Sequence, residues 1–307
     1  SLHDALPISG ALVEFLLFLG MFYAPLNVLH QLNQMSQSAR AAGERVFDIL
    51  DAPAEATTAT SNPTSASTTR LRGEVSFEGV SAAYEGRPDA LNDIELQVHA
   101  GQTIALVGPT GAGKSTLVNL LPRFYPIAGG RITVDGQPLE SIPLGFLRSQ
   151  IAVVSQEPFL FNGTIRENIL YGRLDATESE LITAAETANA AEFIRRLPDG
   201  FDTRVGERGI RLSVGEKQRI SIARALLKDA PILILDEATA NIDTVTEQLL
   251  EAILRKLPAH TTRVIIAHRL NTIENADEIF FVNEAGLTRA TSMQDAIDML
   301  LHRQQNS

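Results

Sequence analysis

The run Gly108-Pro109-Thr110-Gly111-Ala112-Gly113-Lys114-Ser115-Thr116 has the glycine spacing, the lysine and the hydroxyl of a loop that wraps phosphate. It follows the apolar stretch Thr103–Gly108 and precedes Leu117-Val-Asn-Leu-Leu, which reads as a helix. Glycines allow backbone N–H groups to turn inward and meet phosphate oxygens with no Cβ in the way. A helix N-terminus behind them favours an anion by about 0.3–1 kcal/mol. Lys114 is placed to reach β- and γ-phosphates, and the Ser115 hydroxyl to ligate Mg2+. All nine residues are therefore candidates for holding a nucleoside triphosphate.

Three more apolar runs end as abruptly in groups with chemical capability: Ile151–Gln156, Ile232–Glu237 and Arg263–His268. Each is nearly all β-branched or leucine, as in strands buried on both faces of a parallel sheet. Ligands of such sheets bind at the carboxyl ends of strands, so four such ends would converge on one crevice. Asp236 suits a carboxylate that holds Mg2+ through water. Glu237, pointing to the other side of the strand, suits a base or orienter for an attacking water. A helix cap is the other reading of that pair. His268 suits a γ-phosphate contact, or a ring that only satisfies a backbone group. Gln156 suits a metal or water contact, or is simply the polar start of a loop. Tyr84, in VSAAYEGRPDAL, offers a face for adenine, worth roughly 1–3 kcal/mol by analogy with nucleic-acid stacking; otherwise it is a half-buried strand aromatic. Glu237, His268, Gln156 and Lys114 are the catalytic candidates, and Ser115, Gln156 and Asp236 the metal candidates.

A second anion-shaped loop lies about a hundred residues further on. In LSVGEKQR, Leu212–Arg219, Ser213 is a good helix N-cap and Gly215 permits close backbone approach. The following ISIARALL has helical periodicity. The run reads as a second helix start able to take an anion, or as a plain capped amphipathic helix.

The elements that position these groups belong to a chain of 307 residues, 44% apolar and 21% charged, enough for a real core. A net charge of −11 leaves no basic excess to neutralise a nucleic-acid backbone. The absence of cysteine excludes disulfides and thiolate metal sites. Residues 1–10 read as a fragment edge or an expression scar. Ala11–Leu29 carries only Glu14 and Asn27 as strongly polar residues. As a helix it would span roughly 28 Å, enough for a bilayer core. Its apolar character on all faces, with Arg40 and Arg45 beyond, predicts a last membrane helix ending on the cytoplasmic side, the alternative being a buried soluble helix. Ser36–Asp51 then reads as a polar helix carrying Val46, Phe47, Ile49 and Leu50, and with the apolar run makes a last membrane helix and cytoplasmic extension over residues 11–51. Ala52–Arg70 is rich in Thr, Ser, Ala and Pro with no large apolar residue, the composition of a flexible linker. Beyond Leu71, strand-like and helix-like runs alternate, the mark of an α/β domain.

On these motifs the chain resembles the ATP-binding cassette (ABC) exporters of the half-transporter type, lipid- or multidrug-like, in which membrane and ATPase parts share one polypeptide. The resemblance covers residues 11–285. It rests on the phosphate loop, SQEPFLFNGTIRENI around Gln156, VGERG at Val205–Gly209, LSVGEKQR, LILDEATANID and IIAHRL, in that order. It implies a P-loop NTPase fold for residues 71–300, with a RecA-like parallel-sheet core, an antiparallel β subdomain and a helical subdomain over about 157–227, then a tail at 301–307. It implies ATP and Mg2+ as cofactors, and head-to-tail pairing with a second cassette, identical or not. Ser213, Gly215 and Glu216 of one cassette would then complete the site formed by Gly111, Lys114 and Ser115 of the other. Tyr84, Gln156, Asp236, Glu237 and His268 match the adenine-stacking, Q-loop, metal, catalytic and switch positions, and Asn241–Asp243 the D-loop. Pro158–Arg166 and Val205–Gly209 resemble segments that touch coupling helices of the membrane domain. Expected, then, are ATP hydrolysis that powers export, a membrane location with a cytoplasmic ATPase domain, and no nucleic-acid partner.

The chain departs from the family pattern at Val214, where a second glycine is commoner, and at Glu216, where glutamine is commoner. The stretch after Phe281 follows the family's closing strand-turn-helix only loosely, and one apolar helix stands where the family has several. Lipid, drug-like molecule and peptide remain open as cargo. A heterodimer partner that mainly binds ATP is the alternative function. A soluble or DNA-maintenance cassette ATPase would carry a long coiled-coil insertion, and none is visible. A GTPase would need an N-K-x-D base-reading motif, also not found.

Overall fold

A computed structural model describes residues 5–52, 55, 69–84, 87–236, 257–267, 276–283, 286–292 and 294–295. The chain divides into two compact units, Ser1–Thr57 and Thr58–Ser307.

The first unit is built on one helix, α1 (Ala5–Leu50), of 46 residues with Pro25 inside it. The apolar run and the polar run after it lie on this one continuous helix. Residues 30–35, His-Gln-Leu-Asn-Gln-Met, contain neither glycine nor proline, so nothing there stops a helix already running. Pro25 removes one backbone donor without ending the element. The apolar stretch lies bare: Phe15 is 61% and Met21 71% exposed. Further along, polar pairs take over, with Arg40 bonding Glu44 one turn on at 3.0 Å. Among the described residues this is the one helix long and apolar enough to cross a membrane.

The second unit contains two sheets among the described residues. Strands β1 (Val75–Tyr84), β2 (Arg87–Val98), β4 (Gly129–Val134) and β5 (Gln137–Pro138) form an antiparallel sheet in the order β2-β1-β4-β5. Strands β3 (Thr103–Val107), β6 (Ile151–Val154), β7 (Ile232–Asp236), β8 (Thr262–Ile266), β9 (Glu278–Asn283) and β10 (Gly286–Arg289) form a second sheet in the order β10-β9-β3-β8-β7-β6. The latter is parallel except for β10, which pairs antiparallel with β9. The four apolar runs singled out in the sequence are thus four adjacent strands, β3, β8, β7 and β6.

Alternation along these strands divides the core. Ile232 and Ile234 of β7, Val264 and Ile266 of β8, and Ile104 and Leu106 of β3 face one cluster, shared with the antiparallel sheet and with α2 (Lys114–Leu120). Leu233, Leu235 and Ile265 face the other side, where a helical group packs. That group comprises α4 (Ile165–Leu170), α5 (Glu178–Thr187), α6 (Ala191–Arg196) and α7 (Val214–Lys228), while α3 (Leu144–Ser149) precedes β6. Strands covered on both faces need apolar residues at every position, which is why these runs do not alternate with polar ones. Three helices of the group start in a reciprocal cap: Thr164 with Glu167, Thr177 with Glu180, and Ser213 with Glu216. Each such cap contributes about 1 kcal/mol.

The segment leading into β1 is tied at several points. The Asp135 carboxylate accepts the backbone N–H groups of Arg72, Gly73 and Glu74 at 2.6, 3.1 and 2.9 Å. The Gln150 side chain accepts the Leu71 N–H at 3.1 Å. The Arg70 guanidinium donates to the Asp229 carboxylate at 2.9 and 3.2 Å and to its carbonyl at 2.8 Å, at the C-cap of α7. Thr262 Oγ donates to the Gly73 carbonyl at 2.7 Å.

Leu106 is fully buried in β3, in the cluster shared with the antiparallel sheet and α2. Leu106→Ala should cost ~2–5 kcal/mol of unfolding free energy in a urea titration followed by circular dichroism. A loss below ~1 kcal/mol would mean that the β3 environment collapses around the vacancy and is not the close-packed layer described.

Candidate functional site

The parallel register brings the carboxyl ends of the central strands level. Leu106 of β3 and Asp236 of β7 both pair with Ile266 of β8, and Val154 of β6 pairs with Leu235. Residues 108–113 leave β3 as a loop that delivers the chain to α2. Two of its glycines are obligatory. Gly108 has φ +147°, and a Cβ there would stand 2.2 Å from the Val282 carbonyl oxygen. Gly113 has φ +97°, and its Cβ would stand 2.7 Å from the Ala90 carbonyl oxygen. Both clashes are with backbone, so neither is relieved by a rotamer change.

Lys114 is buried, and its ammonium donates to the carbonyls of Gly108 and Pro109, each at 2.9 Å. The side chain thus folds back over its own loop, a position from which the ammonium can exchange carbonyl oxygens for phosphate oxygens. Ser115 Oγ donates to Asp236 Oδ1 at 3.1 Å. This contact sets a hydroxyl and a carboxylate side by side at the meeting point of the loop and β7. Both are hard oxygen donors, the set that Mg2+ prefers. The described residues hold no cluster of three or more His, Cys, Asp or Glu that would suit a metal. A Mg2+ ion here would therefore take the balance of its ligands from phosphate and water, as Mg2+ at nucleotide sites does.

Tyr84 ends β1 and overlooks the loop: its hydroxyl lies 3.4 Å from Thr116 Oγ1. Its ring is stacked on Tyr125, with centroids 4.8 Å apart and planes 19° from parallel. Tyr125 was missed in the sequence reading, since nothing in its neighbourhood forms a motif. Gln156 is exposed, just beyond the end of β6. Glu237 and His268, which directly follow Asp236 and Ala267 in the chain, lie outside the described residues, as do Asn241–Asp243.

Ser213, Gly215 and Glu216 sit at the start of α7, in the helical group and not in the Ser115–Asp236 contact. Ser213 is the N-cap, as its sequence context predicts. Glu216 Oε2 accepts both the N–H and the hydroxyl of Ser213 at 2.8 Å, and Glu216 N–H donates back to Ser213 Oγ at 3.3 Å. Val214 is 53% exposed, so the side chain that replaces a commoner glycine projects outward and leaves the helix start regular.

The loop after β6 carries an exposed aromatic group. Phe159 meets Phe161 edge-on at 5.1 Å, and Phe161 meets Tyr171 at 4.4 Å. Two polar side chains hold its shape. Asn168, fully buried, bonds both the N–H and the C=O of Phe161, at 2.9 and 3.0 Å. Arg224 of α7 donates to the carbonyls of Asn168 and Phe159 at 2.8 and 3.0 Å. Burial holds the Arg224 guanidinium below its ordinary pKa. Nearby, the hydrogen bond from Arg166 holds the Asp202 carboxyl below its usual range.

Comparison with known proteins bears on this geometry. Residues 91–240 match the family model described as ABC transporter. An ATP-dependent lipid A-core flippase of Chromobacterium violaceum is 47% identical over 286 residues, 93% of this chain and 48% of that protein. One of the same description from Legionella pneumophila (strain Paris) is 44% identical over 291 residues, 95% of this chain and 49% of that protein. Among solved structures, a bacterial Atm1-family ABC exporter with ATP bound superposes with a TM-score of 0.72 at 43% identity. The match covers 77% of this chain and 43% of that one. The chain spans about half the length of the curated relatives it matches. By its sequence and by its two-sheet architecture alike, the chain belongs to the ABC transporter family, whose P-loop NTPase domain it carries.

Proposed function

We propose that this chain binds and hydrolyses MgATP as the motor part of an exporter. The observation that carries the reading is the Ser115–Asp236 hydrogen bond, which joins the phosphate loop to the end of β7. Backbone N–H groups of Gly111–Thr116 cradle the phosphates, and Lys114 moves from the Gly108 and Pro109 carbonyls to the β- and γ-phosphate oxygens. Ser115 and Asp236 hold Mg2+, assisted by Gln156. When bound, the ion neutralises charge on the phosphate oxygens. Glu237 orients or deprotonates the attacking water, and His268 holds the γ-phosphate. Tyr84 stacks on adenine. Catalysis is then positioning plus charge stabilisation, as phosphoryl transfer generally requires.

Ser213, Gly215 and Glu216 of a second cassette close the site, so ATP joins two cassettes and hydrolysis parts them. The exposed apolar face of α1 favours a membrane location for the first unit, with the ATPase unit in the cytoplasm. The aromatic group at Phe159, Phe161 and Tyr171 suits docking against helices of the membrane domain. The names of the relatives favour a lipid among the three cargo classes.

Glu237→Gln should lower turnover by ~10²–10⁴ and leave ATP binding intact. Wild-type hydrolysis in that variant would take Glu237 out of the chemistry. Asp236→Asn should weaken the Mg2+-dependent part of ATP affinity by about tenfold or more, read by titrating nucleotide with and without the ion. An equal affinity in both variants and both conditions would remove Asp236 from the metal site. Specific ATPase activity should rise cooperatively with protein concentration; strict proportionality of rate to protein would contradict the paired site.

A further inference from the structure

We propose that Tyr125 positions Tyr84 for the base of the nucleotide, so that two stacked tyrosines, not one, form the base-recognition element. The proposal rests on the nucleotide reading above and adds a residue to it.

A tyrosine at the end of a strand can swing about two side-chain torsions, and a base that stacks on it must first arrest that motion. Here the motion is already restricted. The Tyr84 and Tyr125 rings overlap at 4.8 Å, nearly parallel, an offset-stacked pair. The Tyr84 hydroxyl, 3.4 Å from Thr116 Oγ1, sets the ring over the start of α2, where the phosphate loop ends. A base then extends the stack from the face of Tyr84 turned away from Tyr125.

The loop that presents Tyr125 is itself held on both flanks. Arg148 donates to the carbonyls of Pro122 and Arg123 at 2.9 and 3.3 Å, and its guanidinium lies 5.1 Å from the centre of the Phe124 ring. Phe124 N–H bonds back to the Asn119 carbonyl at 3.1 Å. On the other side, Ala128 N–H donates to the Ser81 carbonyl at 2.7 Å, fastening the loop to β1 three residues before Tyr84. Ile127 packs against the core. Tyr125 itself is 37% exposed, a ring on a rim and not a core residue. Because the same segment begins at Lys114 and ends at Tyr125, the phosphate contact and the support of the base-stacking ring are carried by one continuous piece of chain. Tyr125 acts through Tyr84 and is a positioning residue.

The test compares two ligands, MgATP and inorganic tripolyphosphate, binding to the full 307-residue chain in detergent. Tyr125→Ala should weaken ATP roughly three- to tenfold while tripolyphosphate binding stays within about twofold, because only ATP uses the stack. Tyr125→Phe should bind ATP as the parent does. Unchanged ATP affinity in Tyr125→Ala overturns the proposal. So does an equal loss for both ligands, which would report a general disturbance of the loop. Unchanged ATP affinity in Tyr84→Ala places the base elsewhere and removes the pair. Unchanged tripolyphosphate binding in Lys114→Ala instead defeats the underlying phosphate reading.

Discussion

Ser115 and Asp236 stand 121 positions apart in the chain and meet because three parallel strands end level. β8 lies between β3 and β7 and pairs with both, so its register decides where each of its neighbours stops. A slip of one residue in either ladder would turn the inward side chains of a strand to its other face. The apolar clusters on the two sides of the sheet forbid that slip, since each strand has distinct partners on each face. Core packing thereby sets the distance between a hydroxyl and a carboxylate to within hydrogen-bond reach. The glycines of the loop, the buried lysine and the stacked tyrosines all take their places relative to that pair.

Much of this was legible from residue types. Unbroken β-branched runs announce strands buried on both sides, and the glycine spacing before Lys114 announces an inward-turned backbone. The order β3-β8-β7-β6 was not legible, because strand order is a property of long-range pairing and leaves no local trace. Tyr125 was invisible for a similar reason: a stack between residues 84 and 125 depends on where two loops come to rest. The apolar and polar stretches of α1 run on as one helix because the residues between them, 30–35, contain no glycine or proline to stop it, which composition alone does not reveal.

If the start of α7 meets the phosphate of a second cassette, as proposed above, a single side chain bears on how it does so. An unoccupied helix start offers N–H donors to whatever negative group arrives. Here a carboxylate from the same helix, that of Glu216, already engages Ser213 through two hydrogen bonds. A phosphate that approaches Ser213 meets a hydroxyl already donated to a like charge, and must draw it away. Glutamine in this place would leave the cap without the negative charge. The substitution of Val214 matters less, because its side chain points to solvent.

The triple contact between Arg70 and Asp229 joins two distant parts of the ATPase unit. Asp229 closes one end of α7 and Ser213 opens the other, with fifteen helical residues, roughly 22 Å, between them. The chain just ahead of β1 is thereby pinned to the far end of the same rod that the serine begins, so the entry to the antiparallel sheet and the capped serine share one rigid element.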